Sequence, residues 1–154
     1  MSEGTPRISG AELLFVVLGI VGLVGTWAQV SGYLGQGFLS GNVLFWKDAV
    51  ATPAGRFLTV DVLVLAAALT AWMFGEGRRL GIGPGWLWVY FLGSLLVGIS
   101  FALPLFLAHR QRRIRRDRPG ESSFPAGADW AAVSLAVSIA LVAVAYSLRH
   151  HAVG

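Results

Sequence analysis

From Leu13 to Trp46 no side chain is charged, and the same holds from Trp86 to Ala108. Runs of this kind constrain the fold more than any other feature of the chain. A helix that crosses the hydrocarbon core of a bilayer needs about 20 mostly apolar residues, and both runs are at least that long. Composition agrees: 13% of the 154 residues are charged and mean hydropathy is +0.67, whereas soluble domains carry about 25% charged residues. The chain has no cysteine, which excludes disulfides, thiolate metal sites and cysteine nucleophiles.

Four segments read as membrane spans, at about residues 13–33, 56–77, 86–108 and 130–148. The expected architecture is all-α, a single polytopic membrane domain with four transmembrane helices in a compact bundle. Residues 35–46 contain Gly35, Gly37, Gly41 and Asn42 and read as a loop near the interface. Pro53 and Gly55 punctuate the chain before the second span. Gly81, Gly83, Pro84 and Gly85 mark a tight turn, and Asp129 reads as the N-cap of the last span. Met1 to Glu12 lacks the basic region of a signal peptide, so the first helix reads as retained.

Six arginines fall in the 109–128 loop: Arg110, Arg112, Arg113, Arg115, Arg116 and Arg118. Basic loops stay on the cytoplasmic side. Four spans then predict a multi-pass protein of the cytoplasmic (inner) membrane with both termini outside, and they put Arg78 and Arg79 on the face opposite the arginine run. The run itself reads as a topology anchor or as a site for lipid headgroups or a partner. It has no interleaved aromatics, so nucleic acid is not an expected partner.

Gly19, Gly22 and Gly25, then Ser94, Gly98 and Ala102, are small residues at helical spacing, which lets helices approach closely in lipid. Contact with a membrane protein partner or a second copy is open on the same grounds. Pro104 removes a backbone hydrogen bond to the Ser100 carbonyl, so the sequence predicts a kink there, read either as a packing kink satisfied locally or as a polar notch facing a ligand. Trp27, Trp46, Trp86, Trp88 and Trp130 lie near the expected span ends, as interfacial tryptophans do.

Asp61 stands out within the second span. A carboxylate at a helix centre costs on the order of 2.5–3.5 kcal/mol on insertion scales, so such a residue marks a candidate site. On a helix, Asp61, Trp72 and Glu76 keep to one stripe, with the two carboxylates about 22 Å apart along it. That separation rules out two-carboxylate glycosidase chemistry on one straight helix. Two structural readings stand beside the functional one. Asp61 could cap a helix beginning at Thr59, or pair with Lys47 or Arg56. Glu76 could pair with a neighbouring arginine. His109 and the His150–His151 pair are expected at opposite faces, which argues against bis-histidine haem. No phosphate loop, HExxH or nucleophile elbow occurs, so neither metal nor cofactor is expected.

The stretch from Asn42 to Ile114 resembles a family of small bacterial integral membrane proteins that carry a domain of unknown function. The matching features are Asn42, Phe45-Trp46, Asp61, Trp72, Glu76, Arg78-Arg79, Pro104 to Leu107, and the arginines from Arg110. The resemblance implies a fold and no activity. The layout is more distantly similar to membrane-bound terpene cyclases.

Three functions follow as expectations. The first is a non-enzymatic accessory or lipid-interacting bundle, with membrane lipids as partners. The second is a lipid-phase cyclase or isomerase acting on an isoprenoid. There Asp61 would donate the proton, Trp72 and Phe101 would stabilise a carbocation and Ser100 would orient the substrate; Glu76, Asn42 and Trp46 complete the candidate ligand-binding set. The third is a transporter component, which four short spans without an internal repeat disfavour.

Overall fold

The computed structural model describes residues 8–117 and 129–153. Arg7 and Arg118 lie outside the described residues, as do the side chains of Asp129, Trp130, Arg149, His150 and His151. The described residues form six helices and no strand: α1 (Gly10–Leu34), α2 (Phe38–Ala49), α3 (Pro53–Arg79), α4 (Pro84–Leu96), α5 (Ile99–Asp117) and α6 (Asp129–Val153). The all-α expectation holds. The expectation of four spans does not: among the described residues only α1 and α3 are long and apolar enough to cross a membrane. The apolar part of α6 with described side chains, Val133–Ala145, is shorter than a span.

Helix starts are set by local capping. The Ser9 hydroxyl accepts from the Glu12 N–H at 3.2 Å, half of a Ser-x-x-Glu capping box. Thr52 caps α3 by accepting from the Gly55 N–H at 2.9 Å, with Pro53 in the first turn, where its missing N–H costs nothing. Pro53 thus opens the helix instead of preceding it. Asp61 then lies in the third turn, too far in to cap the helix. At the other end, Gly81 takes a φ of +65°. The Ile82 N–H bonds to the Gly77 carbonyl at 2.8 Å and the Gly81 N–H to the Arg78 carbonyl at 3.1 Å. This is a Schellman stop, completed by burial of Ile82.

Residues 38–46, expected as loop, are helical. Gly37 at φ +81° turns the chain, and α2 then packs on the end of α1. Gly41 lies against the Tyr33 carbonyl. The Tyr33 and Phe45 rings meet edge to face at 5.7 Å, and the Tyr33 hydroxyl donates to Asp48 at 2.9 Å. With 12 residues, α2 is only about 18 Å long and cannot span.

The largest departure concerns residues 86–108. The uncharged run is not one span but two helices that fold back on each other. Gly98 has a φ of +137°, a conformation close to glycine-only. Both the Val97 and Gly98 N–H groups bond to the Gly93 carbonyl, at 3.0 Å each, and the Gly98 carbonyl accepts from Phe101 and Ala102 at 3.1 Å. One helix ends and the next begins across two residues. Contacts then climb α5 as they descend α4. A Cβ on Gly93 would lie 3.6 Å from that of Ala102. The Tyr90 and Phe106 centroids are 5.5 Å apart, and those of Trp86 and His109 are 5.8 Å apart. At 13 residues, α4 is about 20 Å long, short of the roughly 30 Å of a hydrocarbon core. The hairpin enters the bundle and leaves by the same end.

The α1–α5 seam shows what the small residues are for. The Trp27 indole donates to the Val97 carbonyl at the hairpin tip at 2.9 Å. A Cβ on Gly22 would sit 2.5 Å from the Ser100 carbonyl oxygen, and one on Gly19 would be 3.5 Å from the Phe101 carbonyl and 3.6 Å from Pro104. At the far end Arg115 reaches Glu12, 6% exposed, at 2.9 Å. That approach is an ion pair without hydrogen-bond alignment. The carbonyl that Pro104 deprives of its helical partner therefore faces Gly22 of α1, whose lack of a side chain permits backbone-to-backbone approach. The chain reverses at Gly98, and Pro104 lies inside α5. Gly25 packs on Val144 of α6.

Candidate functional site

Where the hairpin leaves the bundle, α5 meets the end of α3 and the start of α4. Glu76 is the centre of this meeting. Its carboxylate accepts from Arg79 Nε at 2.7 Å and Nη2 at 2.8 Å, and from Arg110 Nε at 2.7 Å. Both oxygens are used, and the Glu76 side chain is only 10% exposed. A carboxylate held by two guanidiniums is a fixed anion and an organiser, not a proton donor. Glu76 does pair with a neighbouring arginine, as one reading of the sequence expected. It also binds Arg110, which the four-span topology placed at the opposite membrane face. The hairpin is the reason: it returns the chain to the end of α3, so Arg78, Arg79 and the arginine run share one end of the bundle with the start of α1.

Aromatic rings enclose this ion pair. The Arg110 guanidinium lies 5.9 Å from the Trp72 ring centroid, within cation–π range. Trp72 meets Phe106 edge to face at 5.7 Å, and Phe106 meets Tyr90. Phe106 is fully buried, with Met73 and Leu87 packed nearly as tightly. The Tyr90 hydroxyl and His109 Nδ1 are 3.0 Å apart, and Trp86 lies edge-on to the His109 ring. The cluster therefore joins a fixed charge, several π faces and one hydrogen-bonded Tyr–His pair, partly screened from solvent.

The expected site residues divide. Trp72 and Glu76 belong to the cluster, with Arg110. Asp61 does not. It lies on the exposed face of α3 with no ion pair or hydrogen bond among the described residues, about 16 Å along the helix from Trp72. The clasp by Lys47 or Arg56 is absent: Arg56 instead donates to the Val50 and Ala51 carbonyls at 3.1 and 3.4 Å. Asn42 and Trp46 lie on exposed positions of α2, at the other end of the bundle. Ser100, with Phe101 beside it, sits near the hairpin tip, and Ser100 lines a separate apolar groove. That groove, about 500 Å³, runs between α1, α5 and α6 past Leu18, Gly22, Gly25, Pro104, Ala140 and Val144. Arg112, Arg113, Arg115 and Arg116 continue α5 beyond the cluster. No group of three metal-ligating side chains occurs among the described residues.

Tyr90 was not singled out by sequence, and His109 was weighed only as a haem ligand. The signal that could have found them is the pairing of aromatic and polar residues on either side of Gly98, which matters only once the run is read as a hairpin. Glu12 was likewise passed over, although Ser9 three residues earlier announces its cap.

A family model described as Protein of unknown function DUF2834 matches residues 14–112, a range that contains every residue of the cluster. The resemblance carried by the stretch from Asn42 to Ile114, to a domain of unknown function, agrees with this match. A protein of Aspergillus sclerotiorum named Terpene cyclase resF is 35% identical over 117 residues, covering 73% of this chain and 34% of that protein. The chain thus spans about a third of the length of this relative. No solved structure matches.

Proposed function

The chain belongs to the family described as Protein of unknown function DUF2834, and from that premise we propose that it is a membrane-embedded, lipid-binding helical bundle. The observation that carries this reading is the groove beside Ser100. Its volume falls in the usual range of small-molecule sites, its walls are almost wholly aliphatic, and it opens at the depth of the two spanning-length helices. The one polar backbone group that Pro104 frees is already covered by Gly22, so the groove presents a surface suited to a hydrocarbon chain. Ala140 lines it from α6 and is otherwise exposed. Ala140→Phe is therefore expected to leave the fold intact and to expel the bound chain. Mass spectrometry of the purified protein should show a co-purifying polyprenyl or acyl lipid in the parent and at least a tenfold loss in the variant. Equal lipid content in both would overturn the reading.

A second reading, a lipid-phase enzyme acting on an isoprenoid, is favoured by the name of the Aspergillus relative and by the hydrogen-bonded Tyr90–His109 pair among π faces. In this reading Tyr90 and His109 replace Asp61 as the acid–base groups, because rings that could stabilise a developing cation surround them and not Asp61. With linear polyprenyl substrates in micelles, product formation should fall by a factor of about 10²–10⁴, the usual worth of general acid–base catalysis, in His109→Ala and Tyr90→Phe. It should hold in Asp61→Asn, whose parent side chain is exposed and makes no hydrogen bond or ion pair among the described residues. The opposite ranking would restore Asp61.

The arginine-bearing end is proposed to face the cytoplasm, since seven of the nine described basic residues gather there and basic flanks stay inside. The start of α1 is then inside, not outside. The absence of native cysteine makes the check direct. Ile8→Cys should be labelled from the same side as Arg112→Cys, and Gln36→Cys from the other.

A further inference from the structure

On α3 the residues at alternating steps of four and three, Phe57, Asp61, Val64, Ala68, Ala71 and Gly75, are all exposed. At about 100° per residue they form one stripe roughly 80° wide that runs along most of the helix. The covered residues Thr59, Ala66, Thr70, Met73 and Gly77 lie on the opposite side, turned roughly 190° from the middle of the stripe. There the Thr59 hydroxyl donates to the Ala49 carbonyl of α2 at 3.3 Å, and Met73 joins Leu87, Tyr90 and Phe106 in the core. One side of α3 thus serves its own bundle, and the other has no neighbour among the described residues.

Aliphatic side chains on such a face suit lipid, but a carboxylate does not. The helix has 27 residues centred on Ala66, so Asp61 lies about 7.5 Å from the midpoint, inside the roughly 15 Å half-thickness of a hydrocarbon core. Charges at that depth pair with one another or face protein. Within the chain Asp61 has no ion pair or hydrogen bond among the described residues. Arg56, five residues earlier, is turned about 140° around the helix and donates to the Val50 and Ala51 carbonyls. A second copy supplies no cation either. Packed stripe to stripe in parallel, it sets Asp61 against Asp61, and its α2, with Lys47, lies behind α3 on the Thr59 side. The spacing of the stripe is that of a seam between two helices crossing at about +20°, and Ala68, Ala71 and Gly75 let a second backbone come close. A Cβ on Gly75 would meet nothing within 4 Å, so no contact inside the chain calls for a glycine there.

We infer that this stripe of α3 is the docking surface for a transmembrane helix of a different protein, one that carries a lysine or arginine at the depth of Asp61. The inference rests on the membrane reading above. It gives Asp61 a task that neither the lipid groove nor the Glu76 cluster supplies. The carboxylate selects the partner and fixes its register through one ion pair in hydrocarbon, while the small residues set how closely the two helices pack.

The full chain in phosphatidylcholine vesicles, with a donor dye on Gln36→Cys, is titrated with a synthetic leucine–alanine transmembrane peptide. The peptide carries an acceptor dye and a single lysine five residues from its midpoint. Energy transfer should show it bound about tenfold more tightly than the same peptide with leucine in place of lysine, the usual worth of one polar contact between helices in lipid. Asp61→Leu should remove that preference, and Asp61→Lys should transfer it to a peptide with aspartate in place of lysine. Gly75→Leu should weaken binding of the lysine peptide about fivefold or more through lost close approach. Val62→Leu, turned about 140° from the middle of the stripe, should change nothing. Equal binding of the lysine and leucine peptides, a preference that survives Asp61→Leu, or equal losses in Gly75→Leu and Val62→Leu would each overturn the surface. So would energy transfer between labelled copies of the chain that Gly75→Leu abolishes, because the occupant would then be a second copy. A chain that does not enter the vesicles at all fails the membrane reading and the docking surface with it, whereas the other outcomes leave that reading standing.

Discussion

Glu76→Gln is expected to be the most destabilising near-isosteric change in the chain. Shape is preserved, and one acceptor oxygen remains for three donor contacts. The loss is charge. Arg110, with a side chain only 16% exposed, would keep its cation beside Trp72 with the opposing Glu76 charge lost. Breaking a buried pair from one side costs about 3–5 kcal/mol, and the lower end applies here because Arg79 is 46% exposed and can turn to solvent. The same logic predicts partial rescue. In Glu76→Gln with Arg110→Leu, the stranded charge is gone and an apolar group lies against Trp72, so at least half of the loss should return. Thermal unfolding in detergent, read by tryptophan fluorescence, checks both. A single variant as stable as the parent would mean that Glu76 organises nothing.

What could be read from the sequence was whatever hydropathy and residue type register locally. The helical class, the two helices long and apolar enough to cross a membrane, and the close approach of Gly19, Gly22 and Gly25 to their neighbours follow from apolar runs and small-residue spacing. The Glu76–Arg79 pair follows from a three-residue offset on one helix. What could not be read depends on a single backbone torsion. A hydropathy window sees Trp86 to Ala108 as one apolar stretch, because Val97-Gly98-Ile99 is as greasy as a helix interior. Glycine at that point is compatible with a packed helix as well as with a turn. The misplacement then spread. With the run read as a span, Arg110 went to the wrong end, Glu76 lost its second partner, and Tyr90 never met His109. Asp61 drew notice because a charge among aliphatics is conspicuous. The cluster that the fold builds uses residues whose types are ordinary at a membrane interface and whose proximity is not written in any local spacing.

The hairpin itself admits a nearly all-or-none test. A Cβ at Gly93 would lie 3.6 Å from that of Ala102, inside the range of about 3.5–4.5 Å that a disulfide needs. The same two positions on one straight helix would be about 13.5 Å apart and on opposite faces, beyond any bridge. Gly93→Cys with Ala102→Cys, in a chain without other cysteines, is therefore expected to close a disulfide nearly completely with a small membrane-permeant oxidant. The readout is the loss of two free thiols in the intact mass. Adding Gly98→Leu should abolish that closure. A φ of +137° costs a side-chain-bearing residue on the order of 1–3 kcal/mol, and leucine favours the continuous helix that the hydropathy already permits. Straightening would also draw Arg110 away from Glu76, so the triple variant should unfold at a lower temperature than the oxidised pair. Failure of the cysteine pair to close in the presence of Gly98 would return residues 86–108 to a single span and take the shared arginine end with it.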